Sequence, residues 1–92
     1  MQFADEMNPD DHTIRETVLS LVARRGPGGT ICPSEVARAV KPDDWRPLMP
    51  EVRRVAGLLV AEQRITVTQR GKPVDPEEAR GPIRIGLRSK TS

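Results

Sequence analysis

Arginine is the side chain whose placement in this sequence carries the clearest chemical meaning. Arg53 and Arg54 stand side by side in a stretch with helical spacing, and Arg70, Lys72, Arg80, Arg84 and Arg88 follow them. A guanidinium is always charged, and its planar fork of donors matches the oxygens of a phosphate or the O6/N7 edge of a guanine. The chemistry these residues suggest is recognition of a polyanion. Charge distribution points the same way: residues 1–45 hold five Lys/Arg against eight Asp/Glu, and residues 46–92 hold ten against five. A basic half favours polyanionic partners. Against this stand Asp75, Glu77 and Glu78, with Glu51 and Glu62 upstream. An acidic loop tip would be repelled by a phosphate backbone and fits protein contact or self-association equally well.

Other chemistry-bearing residues offer less. Cys32 is the only cysteine, placed just before a proline at a helix start, where the helix dipole favours a thiolate. No second cysteine can resolve an oxidised sulfur and no histidine is near in sequence, so Cys32 reads as a small, half-buried residue. His12 is the only histidine, and one His with one Cys makes no zinc site without carboxylates or a second chain. Asp75, Glu77 and Glu78 do not have the spacing of a calcium loop. Gly26-Pro27-Gly28-Gly29 follows a helix and lacks the Lys-Ser/Thr of a phosphate loop, so it is a turn. No nucleophile has an obvious base. The expectation is a non-catalytic binding domain with no metal and no cofactor. Trp45 reads as a cap on the edge of the core, with stacking on a base or a partner as its functional alternative.

These residues need elements to hold them. The chain has 92 residues, 36% of them hydrophobic, with one Phe, one Trp and no Tyr, which suits a single domain with an aliphatic core. Asn8-Pro9-Asp10-Asp11 reads as a helix start, and Ile14, Val18, Leu21 and Val22 fall on one helical face before the glycine-rich turn. Thr30-Ile31 predicts a short strand. Pro33 opens a second helix, capped by Cys32 and carrying Val36, Ala37 and Val40 inward, and Lys41-Pro42 closes it. From Pro50 to Gln63, Val52, Val55, Ala56 and Leu59 line one face of a third helix, and Arg53, Arg54, Gly57 and Ala61 the other. Ile65–Arg70 and Ile83–Arg88 alternate apolar and polar residues with period two, which predicts a hairpin. Ile65, Val67, Ile83, Ile85 and Leu87 would cover the helices. Thr66, Thr68, Arg70, Arg84 and Arg88 would face outward, with Lys72 and Arg80 at the base of a long loop from Gly71 to Gly81.

This order predicts an α+β fold, a winged helix-turn-helix of three helices, a C-terminal β-hairpin and a short extra strand. Residues 9–88 form that domain, between a flexible tail at 1–8 and a disordered one at 89–92. The segments Ile31-Cys32-Pro33-Ser34-Glu35-Val36-Ala37, Asp44-Trp45-Arg46-Pro47-Leu48-Met49, Ile65-Thr66-Val67-Thr68-Gln69-Arg70-Gly71-Lys72 and Gly81-Pro82-Ile83-Arg84-Ile85 resemble a family of small bacterial winged-helix domains of unknown function. The resemblance runs from the first helix to residue 88. It implies a winged-helix fold and a bacterial origin, and no activity.

The expected function is non-catalytic binding of double-stranded nucleic acid, most simply DNA, as in a transcriptional regulator. The third helix would enter the major groove with Arg53 or Arg54 at a base edge, while Arg70, Lys72, Arg80, Arg84 and Arg88 meet phosphates. The alternative is a protein-interaction or dimerisation module that uses the hairpin and Trp45. No apolar run nears the roughly 20 residues that span a bilayer, and the N-terminus lacks a basic start followed by an apolar stretch. With a single cysteine, these features predict a cytoplasmic chain with no membrane partner.

Overall fold

The computed structural model describes residues 11–88. The expected tails, and the helix start expected at Asn8-Pro9, lie outside the described residues. Three helices pack on one side of a four-stranded antiparallel sheet in an α+β arrangement. Helix α1 (Asp11–Arg25) buries Ile14, Val18 and Val22, one residue per turn, and stops where Gly26 donates its N–H back to Val22 O at 3.0 Å. Strand β1 (Thr30–Ile31) is two residues long because Pro33 immediately opens α2 (Pro33–Val40). Cys32 holds the cap position in an extended conformation, and its N–H donates to Glu35 Oε2 at 3.0 Å. A single 3₁₀ turn (Arg46–Leu48) leads into α3 (Met49–Ala61), which buries Val52, Val55, Ala56 and Leu59 as the spacing predicted.

Strands β2 (Ile65–Gln69) and β4 (Arg84–Leu87) are the predicted pair, in register Ile65 with Leu87 and Thr68 with Arg84. Ile65, Val67, Ile83 and Ile85 are buried against the helices, so sheet and helices share one aliphatic core. Burial of each such side chain contributes roughly 1.5–3 kcal/mol. Strand β1 flanks β4 on its other side, and Gly86 is buried between them. A β-carbon at Gly86 would stand 3.3 Å from Gly29 O and 3.4 Å from side-chain atoms of Thr30 and Thr66, so a side chain here would press on its neighbours on both sides.

The sheet departs from expectation in strand count. A fourth strand, β3 (Lys72–Pro73), pairs with β2, and the order across the sheet is β1-β4-β2-β3. Arg70 (φ 56°) and Gly71 (φ 82°) form a two-residue turn with both residues in the left-handed region. Such a turn matches the right-handed twist of its strands. The hairpin tip is therefore Arg70-Gly71, and Lys72 adjoins that tip instead of the base of a long loop. Pro73 lies opposite Thr68 on this edge strand, where its missing N–H costs no bond to β2, and just past it Val74 donates its N–H to Val67 O at 3.0 Å.

Residues 74–83 return from β3 to β4. Asp75 organises the first part: its carbonyl accepts N–H groups of Glu78 (3.1 Å) and Ala79 (2.9 Å), and its Oδ1 accepts that of Glu77 (2.9 Å). This turn lies on α3, with Pro76 and Glu77 packed over Gly57. The acids expected at the hairpin tip are thus on the α3 side of the molecule. No helix among the described residues is long and apolar enough to cross a membrane.

Candidate nucleic-acid interface

The seven basic residues singled out from the sequence divide into two groups. On α3, Arg53 is half-buried and grips the returning segment: Nη1 donates to Ala79 O (2.8 Å) and Pro76 O (3.3 Å), and Nη2 to Gly81 O (2.8 Å). Arg54 turns the other way. It donates to both carboxylate oxygens of Asp11 on α1 and, at 2.7 Å, to Glu51 Oε1 one turn earlier on its own helix. Hydrogen bonds donated to Asp11 first and to Glu51 second hold the Arg54 pKa above the usual arginine value. Both guanidinium groups are tied to acceptors within the chain, that of Arg53 half-buried and that of Arg54 at the surface. The exposed positions of α3 are Pro50, Glu51, Leu58 and Ala61, none of them cationic.

The sheet presents the second group. Arg70 and Lys72 are exposed at the hairpin tip, and Arg84 and Arg88 are exposed on β4 and just beyond it. The register sets Thr68 opposite Arg84 and Thr66 opposite Gly86, so threonines and arginine alternate on the outward face. Gln69 Nε2 donates to Arg80 O (2.6 Å) and Pro82 O (3.0 Å), which fastens residues 80–82 to β2 and brings Arg80 beside the hairpin. Arg70, Lys72, Arg80 and Arg88 make no side-chain hydrogen bond or ion pair among the described residues. Arg84 is partly engaged: Nε donates to Thr30 Oγ1 (2.9 Å), Nη2 to Thr30 O (3.3 Å) and Nη1 to Cys32 Sγ (3.6 Å). It meets no carboxylate.

Cys32 is half-buried and free, and Ser34 Oγ donates to its sulfur at 3.7 Å. With Ser34, Met49, Arg53 and Arg84 it lines an open groove of about 250 Å³ between the starts of α2 and α3 and the beginning of β4. A second groove, about 420 Å³, runs between α3 and residues 73–76 and is floored by Gly57, Val60, Val74 and Pro76. His12 is exposed in the first turn of α1. Among the described residues, no three His, Cys, Asp or Glu side chains are grouped to hold a metal.

Trp45 packs against the core, as a capping residue would. Its ring is also covered in a way the sequence reading missed. The guanidinium carbon of Arg38 lies 4.5 Å from the ring centroid and that of Arg46 lies 4.7 Å away. A ring so covered is poorly placed to stack on a base. The only sequence signal was weak: arginine next to tryptophan, and another in the last turn of the preceding helix. No curated protein matches the chain. Residues 11–88 match the model of a family described as a protein of unknown function (DUF3253), and the chain belongs to that family.

Proposed function

We propose that this is a winged-helix domain that binds double-stranded nucleic acid without catalysis, gripping backbone phosphates with its hairpin tip and the outward face of its sheet. The order helix, strand, helix, helix, hairpin supports the winged-helix reading. The observation that carries the functional reading is the contrast in pairing. Arg70, Lys72, Arg80 and Arg88 have no anionic partner among the described residues, and both α3 arginines are held by acceptors within the chain. Exposed cations without an anion of their own are the electrostatic footprint expected of a polyanion site. With Arg53 and Arg54 occupied, contact falls on phosphates, which position a duplex without reading its sequence.

Fluorescence anisotropy with labelled random duplex DNA, titrated at several salt concentrations, tests this. The expected result is affinity that falls with salt, with a log–log slope near −0.9 for each phosphate contacted. Absence of binding at low salt overturns the proposal. A second reading, a protein-contact module, is favoured by Leu58, which is 48% exposed on α3, and by the apolar groove beside Asp75 and Glu77. Indifference to DNA together with a concentration-dependent mass in light scattering would select it.

A further inference from the structure

The hairpin is not the only place where positive charge is left unsatisfied. Arg38 closes α2 and Arg46 opens the 3₁₀ turn, and both guanidinium groups lie over the single indole of Trp45. Both arginines are exposed, and neither donates a hydrogen bond or forms an ion pair among the described residues. Asp43 and Asp44 precede the ring in the same turn and engage neither of them. Attraction to the ring face holds each guanidinium in place and leaves its N–H edge free. Two like charges drawn to one ring repel each other, and an anion bound across their donor edges relieves that repulsion. Donors held in advance lose little freedom on binding, which favours affinity.

The cluster also has a route to the hairpin face. Arg46 stands one 3₁₀ turn, about 6 Å of rise, before Met49. Met49 lines the same groove as Arg84. A nucleic-acid backbone that passes from Arg46 over Met49 to Arg84 would meet both groups of cations.

We infer that Arg38, Trp45 and Arg46 form a second phosphate-gripping point for the nucleic-acid backbone, continuous with the sheet face. This rests on the nucleic-acid reading above and extends its footprint to the turn between α2 and α3. The protein carries its own reporter, because Trp45 is its only tryptophan and it has no tyrosine. The experiment follows indole emission and anisotropy together as labelled random duplex DNA is added to the full chain, for wild type, Arg38→Gln, Arg46→Gln and the double variant. Circular dichroism and thermal melting confirm that each is folded.

The expected result is a saturable change in wild-type emission that tracks the anisotropy. Each single variant should reduce the salt-dependence slope by about one, equally for unrelated sequences. DNA binding with unchanged emission, and an unchanged slope in a folded double variant, would overturn the inference and leave the proposed function standing. No anisotropy change in wild type at low salt would overturn both. An emission change with poly-glutamate and none with DNA would overturn the inference in favour of an acidic protein partner.

Discussion

Arg53 on α3 and Arg70 in the β2–β3 turn carry the same side chain and have opposite surroundings. Arg53 is half-buried and spends its donors on three backbone carbonyls of the returning segment. Arg70 is exposed, sits at a φ of 56° that side chains other than glycine rarely adopt, and touches no acceptor among the described residues. The first holds structure. The second contributes nothing visible to the fold and occupies a strained backbone position. A cation that a fold neither pairs nor buries is available to a partner, so pairing separates structural arginines from unengaged ones better than sequence position does.

The sharpest way to break this comparison is at Arg53. Hydrogen bonds from charged donors contribute roughly 1.5–3 kcal/mol, and those made by one group are not additive. Arg53→Ala is therefore expected to destabilise the fold by about 3 kcal/mol, read from urea denaturation. Amide exchange should speed up in residues 74–82. Arg53→Lys should recover only part of the loss, since an ammonium cannot reproduce a planar fork reaching three carbonyls. A loss below about 0.5 kcal/mol, the level of an ordinary surface substitution, would mean the clamp is incidental.

Arg70→Asn sharpens the same contrast, because its two effects should have opposite signs. Asparagine tolerates the left-handed region, and Asn-Gly suits this turn type. Stability should be unchanged or rise by a few tenths of a kcal/mol, on the scale of a surface substitution. Duplex affinity should fall, with the salt slope shallower by about 0.9. A variant that binds DNA like wild type would remove the hairpin tip from the interface.

What the sequence revealed follows from how each feature is encoded. Ile14, Val18 and Val22, or Val52, Val55 and Leu59, announce a helix because periodicity is a property of many residues together. Glycines and prolines marked most element ends, and alternation marked β2 and β4. Strand β3 escaped because two residues, one of them proline, carry no periodicity. Its signal was the turn: the dipeptide Arg70-Gly71 directly after the alternating run of β2. The role of Arg53 left no signal, and for Arg54 only the partner Glu51, three residues earlier on the same helix, was legible. Arg53 binds carbonyls, which every residue owns, and Arg54 finds Asp11 on a different helix. Helical spacing correctly set both arginines off the core face. It could not show that a loop would cover Arg53 or that α1 would reach Arg54.

Arg54 predicts a smaller effect than Arg53 despite its more obvious ion pairs. Its partners Asp11 and Glu51 are more than half exposed, so solvent and salt screen the attraction. Arg54→Ala should cost about 0.5–1 kcal/mol, and added salt should erase most of the difference from wild type. Duplex affinity should stay within twofold. A large drop in affinity at unchanged stability would mean that Arg54 leaves Asp11 to meet the ligand, and α3 would re-enter the interface.

The smallest expected effect lies at the far end of the same helix edge, where Arg15 on α1 donates to both oxygens of Glu62, just past α3, at 2.6 and 2.9 Å. These bonds, and secondarily the Arg15 charge, hold the Glu62 carboxyl below its ordinary value. A carboxyl lowered in the folded state contributes stability that is complete above its unfolded pKa. That contribution is lost as pH falls from the unfolded value through the lower folded one. Wild type and Glu62→Gln should therefore differ by a constant amount from neutral pH down to the ordinary glutamate range. Below it the two curves should converge, because a protonated Glu62 and a glutamine both lack the charge. The comparison isolates Glu62 because every other carboxylate titrates in both proteins. Curves that stay parallel through that range would show that Arg15 and Glu62 are no more coupled in the folded chain than in the unfolded one. Pairing at this edge would then say as little about function as its absence does, and the contrast between α3 and the hairpin would have to rest on Arg53 alone.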